Sequence, residues 1–356
     1  MGSFSRKAGG MAGAALIGAG LAAAAPSAAH AAVSVPCNVP ALISAIQTAN
    51  LAPGAQTLDL TPFCNYVLNA PFAQTVTRGP DGLPIITGNI TLSGYGTTIK
   101  RFAAAKFRIL EVASGGVLNL RGITIAGGDA GVNTGGGILN AHGTVVLTSA
   151  AVRSNTADNG AGISNDRGGL TLTYSTVRGN TTGAGGGGGG IYNDGNLSLR
   201  YSKVNSNSAN TSGGGIYTEG IGHTSLIGTT IGTNRAESDG GGIFNKAGNS
   251  LGLLSSYIYG NTADNDGAGI YNEGALRVLR SRLVLNRAVR YGGGLYNGSG
   301  GTTLLYRTRN DHNAAVSGGG INHSGPVGAV TLQLSTIDSN VGGNCVPLGA
   351  IAGCTG

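Results

Sequence analysis

The sequence predicts an all-β fold, a single-stranded right-handed parallel β-helix with a short N-terminal capping helix. Three observations support this prediction. Of 356 residues, 67 are glycine and only 10% are charged, which is unusual for a globular domain. A short glycine motif recurs every two dozen residues or slightly more, which indicates a solenoid. Between these motifs, apolar and polar residues alternate as they do in half-buried strands.

The chain divides into four predicted segments. They are a signal peptide (1–31), an N-terminal cap (32–81), the parallel β-helix (82–340) and a C-terminal disulfide cap (341–356). The repeats run almost to the C-terminus, and no linker rich in proline or charge interrupts them. We therefore expect one elongated domain.

The first segment has the features of a secretory signal. Arg6 and Lys7 precede an apolar stretch of small residues, and an Ala-His-Ala motif ending at Ala31 suits cleavage. A membrane anchor is the alternative, but the stretch is weakly apolar and short for a span. We expect a secreted, extracellular protein that could stay associated with the cell surface. We expect its mature chain to have no membrane span and to be monomeric.

The cysteines lie only at the two ends of the chain: Cys37, Cys64, Cys345 and Cys354. Four cysteines allow three pairings. In an exported protein we expect the local pairing, the first with the second and the third with the fourth, because it staples each end of the stack. Metal ligation is the alternative, but no close Cys or His partners stand at zinc spacing. The sequence predicts no metal site and no cofactor.

Two markers fix the register of the repeats. The first is an aliphatic residue after two or three small ones: Ile138, Ile163, Ile191, Ile216, Ile243, Ile270, Leu295 and Ile321. The second is an asparagine at nearly the same steps: Asn155, Asn180, Asn207, Asn234, Asn261, Asn286, Asn313 and Asn340. Positions ten, eight, five and three places before this asparagine are predicted to point inward. Coils stacked about 4.8 Å apart would then place equivalent residues in vertical files.

Glycine and asparagine suit the corners between the strands. Glycine adopts positive φ without strain, and an asparagine amide can bond the turn backbone and stack in a ladder. The right hand follows from the general rule for parallel crossovers. Asn310 is the one polar residue in an otherwise aliphatic file. It could join the amide ladder or mark a bulge, and we expect the bulge.

The segment before the repeats predicts a short helix over 38–50 that covers the open first coil against sheet addition. Its apolar face consists of Leu42, Ile43, Ile46 and Ala49. The strand-like stretches at 83–101, 107–112 and 116–128 are interpreted as irregular first coils.

These stretches resemble a known family. The segment GLPIITGNITLSGYGTTI, then FRILEV, then repeated GGGIYN and STVRGN units resemble the layout of secreted bacterial right-handed parallel β-helix repeat proteins of the pectin lyase-like superfamily. The GGGIYN units also resemble repeats of polymorphic outer-membrane proteins. The resemblance covers most of 37–340 and implies the fold and export. It implies no single activity, because the superfamily includes polysaccharide lyases, hydrolases and adhesins.

Two surface stripes are candidates for ligand binding. The first is an outward aromatic column: Tyr192, Tyr217, Phe244, Tyr271 and Tyr296. It could stack on sugar rings, or its rings could stack on one another and stiffen the solenoid, which we expect. The second is a group of arginines: Arg280, Arg282, Arg307 and Arg309. They could bind carboxylate or sulfate groups, or form a solvated face, which is the commoner role.

One pair of carboxylates could carry catalysis. Asp311 and Asp338 share a column on adjacent coils beside Arg309, so they could lie about 5 Å apart. That spacing suits a retaining glycosidase or a cation site, and a lyase could use the arginine as a base. A surface ion pair is the simpler interpretation. The sequence contains no serine-hydrolase, P-loop or zinc-protease motif.

The sequence therefore favours a non-catalytic secreted or cell-surface protein that acts in adhesion or polysaccharide binding. We expect a cell-wall or acidic polysaccharide as its ligand. The alternative is a polysaccharide lyase or glycoside hydrolase that acts on acidic glycans. A net charge of +7, spread over an elongated surface, does not indicate nucleic-acid binding.

Overall fold

A computed structural model of the chain shows an all-β parallel solenoid and describes residues 31–75, 78–347 and 349–354. The predicted signal peptide lies outside the described residues except for Ala31. Equivalent strands of successive coils pair with one another in parallel. Each set of strands stacked in this way is called a row. This pairing satisfies the backbone hydrogen bonds that a single coil leaves open.

Rows 1 and 2 form one 21-stranded sheet. The strands of row 1 are Val33–Val35, Ala55–Leu60, Asn89–Arg101, Val117–Ala126, Thr144–Thr148, Gly169–Thr173, Asn196–Arg200, His223–Ile227, Ser250–Leu254, Ala275–Leu279, Thr302–Tyr306 and Val330–Gln333. The strands that belong to row 2 alone are Asn65–Leu68, Ala151–Arg153, Thr176–Arg178, Lys203–Asn205, Thr230–Gly232, Tyr257–Tyr259, Arg282–Val284, Arg309–Asp311 and Thr336–Asp338. Asn89–Arg101 and Val117–Ala126 are long enough to run through both rows.

Two further rows complete the coils. Row 3 consists of Thr156–Ala157, Thr181–Thr182, Ser208–Ala209, Arg235–Ala236, Thr262–Ala263 and Arg287–Ala288. Row 4 consists of Leu110–Val112, Ile138–Ala141, Ile163–Asp166, Ile191–Asn193, Ile216–Thr218, Ile243–Asn245, Ile270–Asn272, Leu295–Asn297, Ile321–His323 and Cys345–Val346. A separate antiparallel hairpin joins Ala73–Thr75 and Gly79–Asp81.

The core is built from files of like residues, as predicted. Leu172, Leu199 and Leu226 are direct register partners on successive coils and are fully buried. Ile191 and Ile216 stack in the same way in row 4. One apolar cluster therefore extends from the first coils to the last, and its burial supplies the main stabilisation at roughly 25 cal/mol per Å² of apolar surface.

The marker asparagines form a buried amide ladder, which confirms the corner role predicted for them. Asn207 donates from its backbone N–H and from Nδ2 to Oδ1 of Asn234, both at 3.0 Å. Asn234 repeats the pattern on Asn261 and also donates from Nδ2 to the carbonyl of Val204 at 3.0 Å. Each amide thus satisfies backbone groups of the preceding coil and donates to the amide of the next coil.

The bulge predicted at Asn310 is wrong. Asn310 is fully buried and keeps the register between Leu283 and Ile337. Its Oδ1 accepts a hydrogen bond from Asn313 Nδ2 at 2.5 Å, and its Nδ2 donates to the carbonyl of Gly320 at 3.0 Å. Because the neighbouring amide ladder satisfies the side chain, the strand accommodates a polar residue in the aliphatic file without a change of register.

A helix covers the first coils of the solenoid, and a disulfide lies at each end. The helix Val39–Leu51 begins after Asn38, whose side chain accepts a hydrogen bond from the N–H of Ala41, and it buries Leu42, Ile46 and Ala49 as predicted. The fourth residue of the predicted apolar face, Ile43, is partly buried. The disulfides join Cys37 to Cys64 and Cys345 to Cys354.

Parallel pairing extends into the segments that flank the predicted solenoid. Val33–Val35 pairs with Ala55–Leu60, which pairs with Asn89–Arg101, so coils form before residue 82. At the other end, Cys345–Val346 adds a strand to row 4. The first coils are irregular as expected, since the register shifts between Ser93 and Thr97.

Candidate functional site

The aromatic column is a continuous stack on the outer side of row 4. Ring centroids of successive members lie 4.7–5.3 Å apart, with interplanar angles of 2–7° for the first three pairs and 25° for Tyr271 and Tyr296. Tyr217 and Tyr271 are partly buried, and burial is the main reason why the pKa of each hydroxyl lies above its usual value. Because each ring covers the face of its neighbour, ring edges and hydroxyls are what the inner members present to solvent.

Acidic side chains accompany this stack. The hydroxyl of Tyr192 bonds the carboxylate of Glu219, and the hydroxyl of Tyr271 lies 3.4 Å from a carboxylate oxygen of Glu273. Lys246 Nζ lies 2.9 Å from Glu219. The stack is therefore bordered by negative charge, which disfavours a negatively charged ligand at this surface.

The predicted arginines are brought together on row 2 and on the corner before it. The register places Tyr257, Arg282 and Arg309 in one file. Arg280 and Arg307 occupy the preceding corner of the same two coils, each with positive φ, and both are exposed. The four guanidinium groups thus form two pairs, each spanning adjacent coils.

Asp311 anchors one of these pairs. Its side chain is fully buried, and Arg282 donates to both of its carboxylate oxygens at 3.2 and 3.0 Å. Arg309 Nε and His312 Nδ1 lie 3.2 and 2.9 Å from Oδ2. Burial alone would raise the pKa of Asp311, but the hydrogen bonds from Arg282 and His312 and the charges of both arginines outweigh it and lower the pKa.

The second carboxylate of the predicted pair has a different environment. Asp338 is the register partner of Asp311, as expected for a shared column. Its side chain is 43% exposed, and its Oδ1 lies 3.9 Å from an Nη of Arg309. One member of the pair is thus buried in an ion-pair network, and the other faces solvent.

The arginine group is part of a larger basic face, which sequence inspection did not recognise. We define the basic face by the outward side chains that lie between the end of row 1 and the end of row 2. It begins at the coil of Val117–Ala126 and includes all later coils. Its basic members are Arg121, Arg153, Arg178, Arg200, Lys203, Arg280, Arg282, Arg307 and Arg309. Its acidic members among the described residues are Asp311 and Asp338. The face also carries an exposed stacked pair, Tyr174 and Tyr201, with ring centroids 5.4 Å apart.

A buried charged cluster in the first coils also escaped the sequence analysis. Arg108 is 1% exposed and lies 2.8 Å from Asp81 and 3.0 Å from Glu111, both equally buried. Arg78, on the hairpin connection, reaches Glu111 at 3.0 Å, and its carbonyl accepts a hydrogen bond from Arg108. The only sequence signal is an arginine and a glutamate within the apolar run FRILEV.

Burial decides the charge state of this cluster. It is the largest influence on Asp81 and raises the pKa of that carboxyl to about 7; Arg108 opposes the shift and Glu111 adds to it. The Oδ2 atom of Asp81 is buried without a hydrogen-bond partner among the described residues. The guanidinium of Arg108, which Asp81 shares with Glu111, does not offset the cost of removing the Asp81 carboxylate from water.

Two further observations concern the described residues. No three His, Cys, Asp or Glu side chains among them lie close enough together to hold a metal ion. No helix within residues 31–75, 78–347 and 349–354 has the length and apolar character needed to cross a membrane.

Comparisons with known proteins give one structural likeness. No protein-family model matches the sequence, and no curated protein matches it. Among solved structures, the chain resembles the A-module of the mannuronan C-5 epimerase AlgE6 from Azotobacter vinelandii, with 16% identity and a TM-score of 0.44. The match covers 85% of this chain and 92% of that one. At this level the likeness is one of fold alone.

Proposed function

We propose that this protein is an exported, non-catalytic solenoid that binds acidic polysaccharides along its basic face and so acts in adhesion. The observation that supports this most directly is the arrangement of Arg282 and Arg309 around Asp311. Both guanidinium groups are oriented by the same buried carboxylate, while about half of each side chain remains exposed. Oriented guanidinium groups lose less side-chain entropy when they bind an anion.

The geometry of the face suits an extended anionic chain. Arg282 and Arg309 are register partners, so their backbones lie about 4.8 Å apart. Arg280 and Arg307 repeat that spacing one step along the coil. Each guanidinium can bind a carboxylate or sulfate group in a bidentate manner. Several such contacts in a row favour a polymer over a single sugar.

The environment of Asp311 favours binding over hydrolysis. A retaining glycosidase needs one carboxyl group that is protonated near neutral pH and can donate to the leaving oxygen. The pKa of Asp311 is lowered and its oxygens are engaged by Arg282, Arg309 and His312. Asp311 therefore supports the arginines as a fixed anion and is unsuited to be a proton donor.

Exchanging Arg280 and Arg307 for glutamine together is expected to weaken binding to polygalacturonate, alginate or heparin about tenfold, because two exposed charge contacts are lost. Neither side chain has an acidic partner among the described residues, so the fold should be unaffected. The measurement is affinity co-electrophoresis, with neutral dextran as the ligand control. Arg287→Gln, an exposed arginine of row 3, is the matched control and should bind like wild type. Wild-type protein that ignores all three polyanions at low salt would contradict the proposal.

The alternative function, a polysaccharide lyase or glycoside hydrolase acting on acidic glycans, is supported by the contact between His312 and Asp311. A carboxylate that orients an exposed imidazole is an arrangement used for general bases. Incubating the protein with pectin, alginate and related glycans is expected to give no new unsaturated or reducing ends. Product that forms with wild type and disappears in Asp311→Asn and in His312→Gln would establish the enzyme instead.

A further inference from the structure

The charges of this protein are segregated between two lateral faces. The basic face is described above. We define the acidic face as the outer side of row 4, with its aromatic stack and the carboxylates that border it: Asp194, Glu219, Asp239, Asp266 and Glu273. The cations within or beside these five carboxylates are Arg167, which lies 4.0 Å from Asp194, Lys246, which pairs with Glu219, and Arg290, which pairs with Asp266. Each face therefore carries an excess of one sign.

We infer that copies of this chain associate side by side at low ionic strength, in contrast to the monomer expected from the sequence, with the basic face of one copy lying against the acidic face of another. The second copy is the partner that the charges favour, because one chain supplies both surfaces. Complementary potentials of this kind steer association and set its orientation. The interaction goes beyond polysaccharide binding, since it adds a role for the acidic face, which a polyanion would avoid.

The solenoid matches the spacing of the two faces. Arg282 and Arg309 are equivalent residues on adjacent coils, and so are Tyr192 and Tyr217 of the aromatic column. Both files therefore have the same repeat of about 4.8 Å. Two solenoids with their axes aligned can therefore bring charged groups of the two faces together on several coils at once.

The chemistry of the facing groups is also complementary. A guanidinium forms bidentate contacts with carboxylates and favourable contacts with aromatic rings. The acidic face offers both, since Tyr271 and Glu273 lie side by side on its surface. A single exposed ion pair contributes at most about 1 kcal/mol. A stable contact therefore requires several coils, which the matched spacing provides.

The contact joins two different surfaces of the chain and is therefore heterologous. A contact of this kind does not by itself produce a closed dimer. Each bound copy leaves one basic and one acidic face free. We therefore expect that, at low ionic strength, the mean mass of the assemblies rises with protein concentration and exceeds that of a dimer. We also expect dispersal in about 0.5 M NaCl, where exposed charges are strongly screened.

Charge exchange on each face provides the test. The basic-face variant carries Arg280→Glu and Arg307→Glu, and the acidic-face variant carries Glu219→Lys and Glu273→Lys. Sedimentation velocity at low salt should show wild type as concentration-dependent assemblies and each variant alone as monomer. An equimolar mixture of the two variants should assemble again, because each then meets a face of opposite sign. Melting curves by circular dichroism verify that both variants are folded.

The outcomes separate this inference from the proposed function. The acidic-face variant should retain polysaccharide binding, since its basic face is unchanged, and added polyanion should disperse wild-type assemblies by occupying that face. Wild type that stays monomeric at low salt and high concentration overturns the inference. Folded variants whose mixture remains monomeric also overturn it. Wild-type assemblies that disappear when bound polysaccharide is removed enzymatically overturn it as well, because the polymer and not the acidic face would then hold the copies together.

Discussion

Replacing Asn234 with alanine is expected to lower the free energy of unfolding by about 3–5 kcal/mol. The side chain is 1% exposed and lies in the middle of the amide ladder. Its loss leaves the backbone N–H of Asn207 without its acceptor and removes the Nδ2 donor to the carbonyl of Val204. Each neighbouring amide also loses one of two hydrogen bonds: Asn207 Nδ2 keeps only the carbonyl of Val177, and Asn261 Oδ1 keeps only the backbone N–H of residue 234. Buried groups left in this way cost about 1–3 kcal/mol each. Guanidinium titration followed by far-UV circular dichroism measures the change.

The matched control is Asn210→Ala. Asn210 lies in the next corner of the same coil as Asn207. Its Nδ2 bonds the exposed carboxylate of Glu237 at 2.7 Å, and its Oδ1 accepts from the exposed backbone N–H of Gly185 at 2.9 Å. Because water can replace both contacts, we expect a change within about 1 kcal/mol. If Asn234→Ala proves as stable as Asn210→Ala, the ladder is not a major source of stability.

Raising the pH from about 5 to about 7 is expected to destabilise the protein through Asp81. Its pKa is about 7 in the folded chain and near 3.8 when unfolded, so the folded state binds the proton more tightly. The stabilisation is fully present below about pH 4 and is lost as the pH rises through 7. Between these limits, ionisation of Asp81 lowers the free energy of unfolding by about 1.4 kcal/mol per pH unit. Thermal melts across this range measure it.

Asp81→Asn isolates this contribution. Asparagine has the shape of the protonated carboxyl and does not titrate, so the variant should lose most of the pH dependence and be at least as stable as wild type at about pH 8. Asp59→Asn removes an exposed carboxyl of Ala55–Leu60 and should keep the wild-type slope. Parallel curves for wild type and Asp81→Asn would show that Asp81 is already ionised at low pH.

Binding by the two lateral faces is linked. A polyanion and the acidic face of a second copy compete for the same arginines, so polysaccharide and self-association should weaken one another by equal factors. The protein would then assemble where acidic polymer is scarce and disperse along the polymer where it is plentiful. Salt weakens both interactions, since the Debye length falls to about 10 Å at 0.1 M.

The sequence by itself determined the solenoid, its register and the identity of its inward files. The reason is that a fixed repeat forces equivalent residues onto one another, so Leu172 meets Leu199 and Asn207 meets Asn234. The same logic placed Arg282 beside Arg309 and Asp311 beside Asp338. The short apolar face of the capping helix was readable from its spacing of Leu42, Ile46 and Ala49.

Only the tertiary structure decided which polar side chains are buried and what satisfies them. Asn310 stays in register because an amide from its own corner and a glycine carbonyl lie within reach. Asp311 is buried and its register partner Asp338 is half-exposed, a difference set by the arginines that converge on the first. Arg108 is buried against Asp81, which is its parallel bridge partner 27 residues away in the irregular first coils. Periodicity indicates which residues are neighbours, but it does not reveal how deeply a polar side chain is buried or which groups satisfy it.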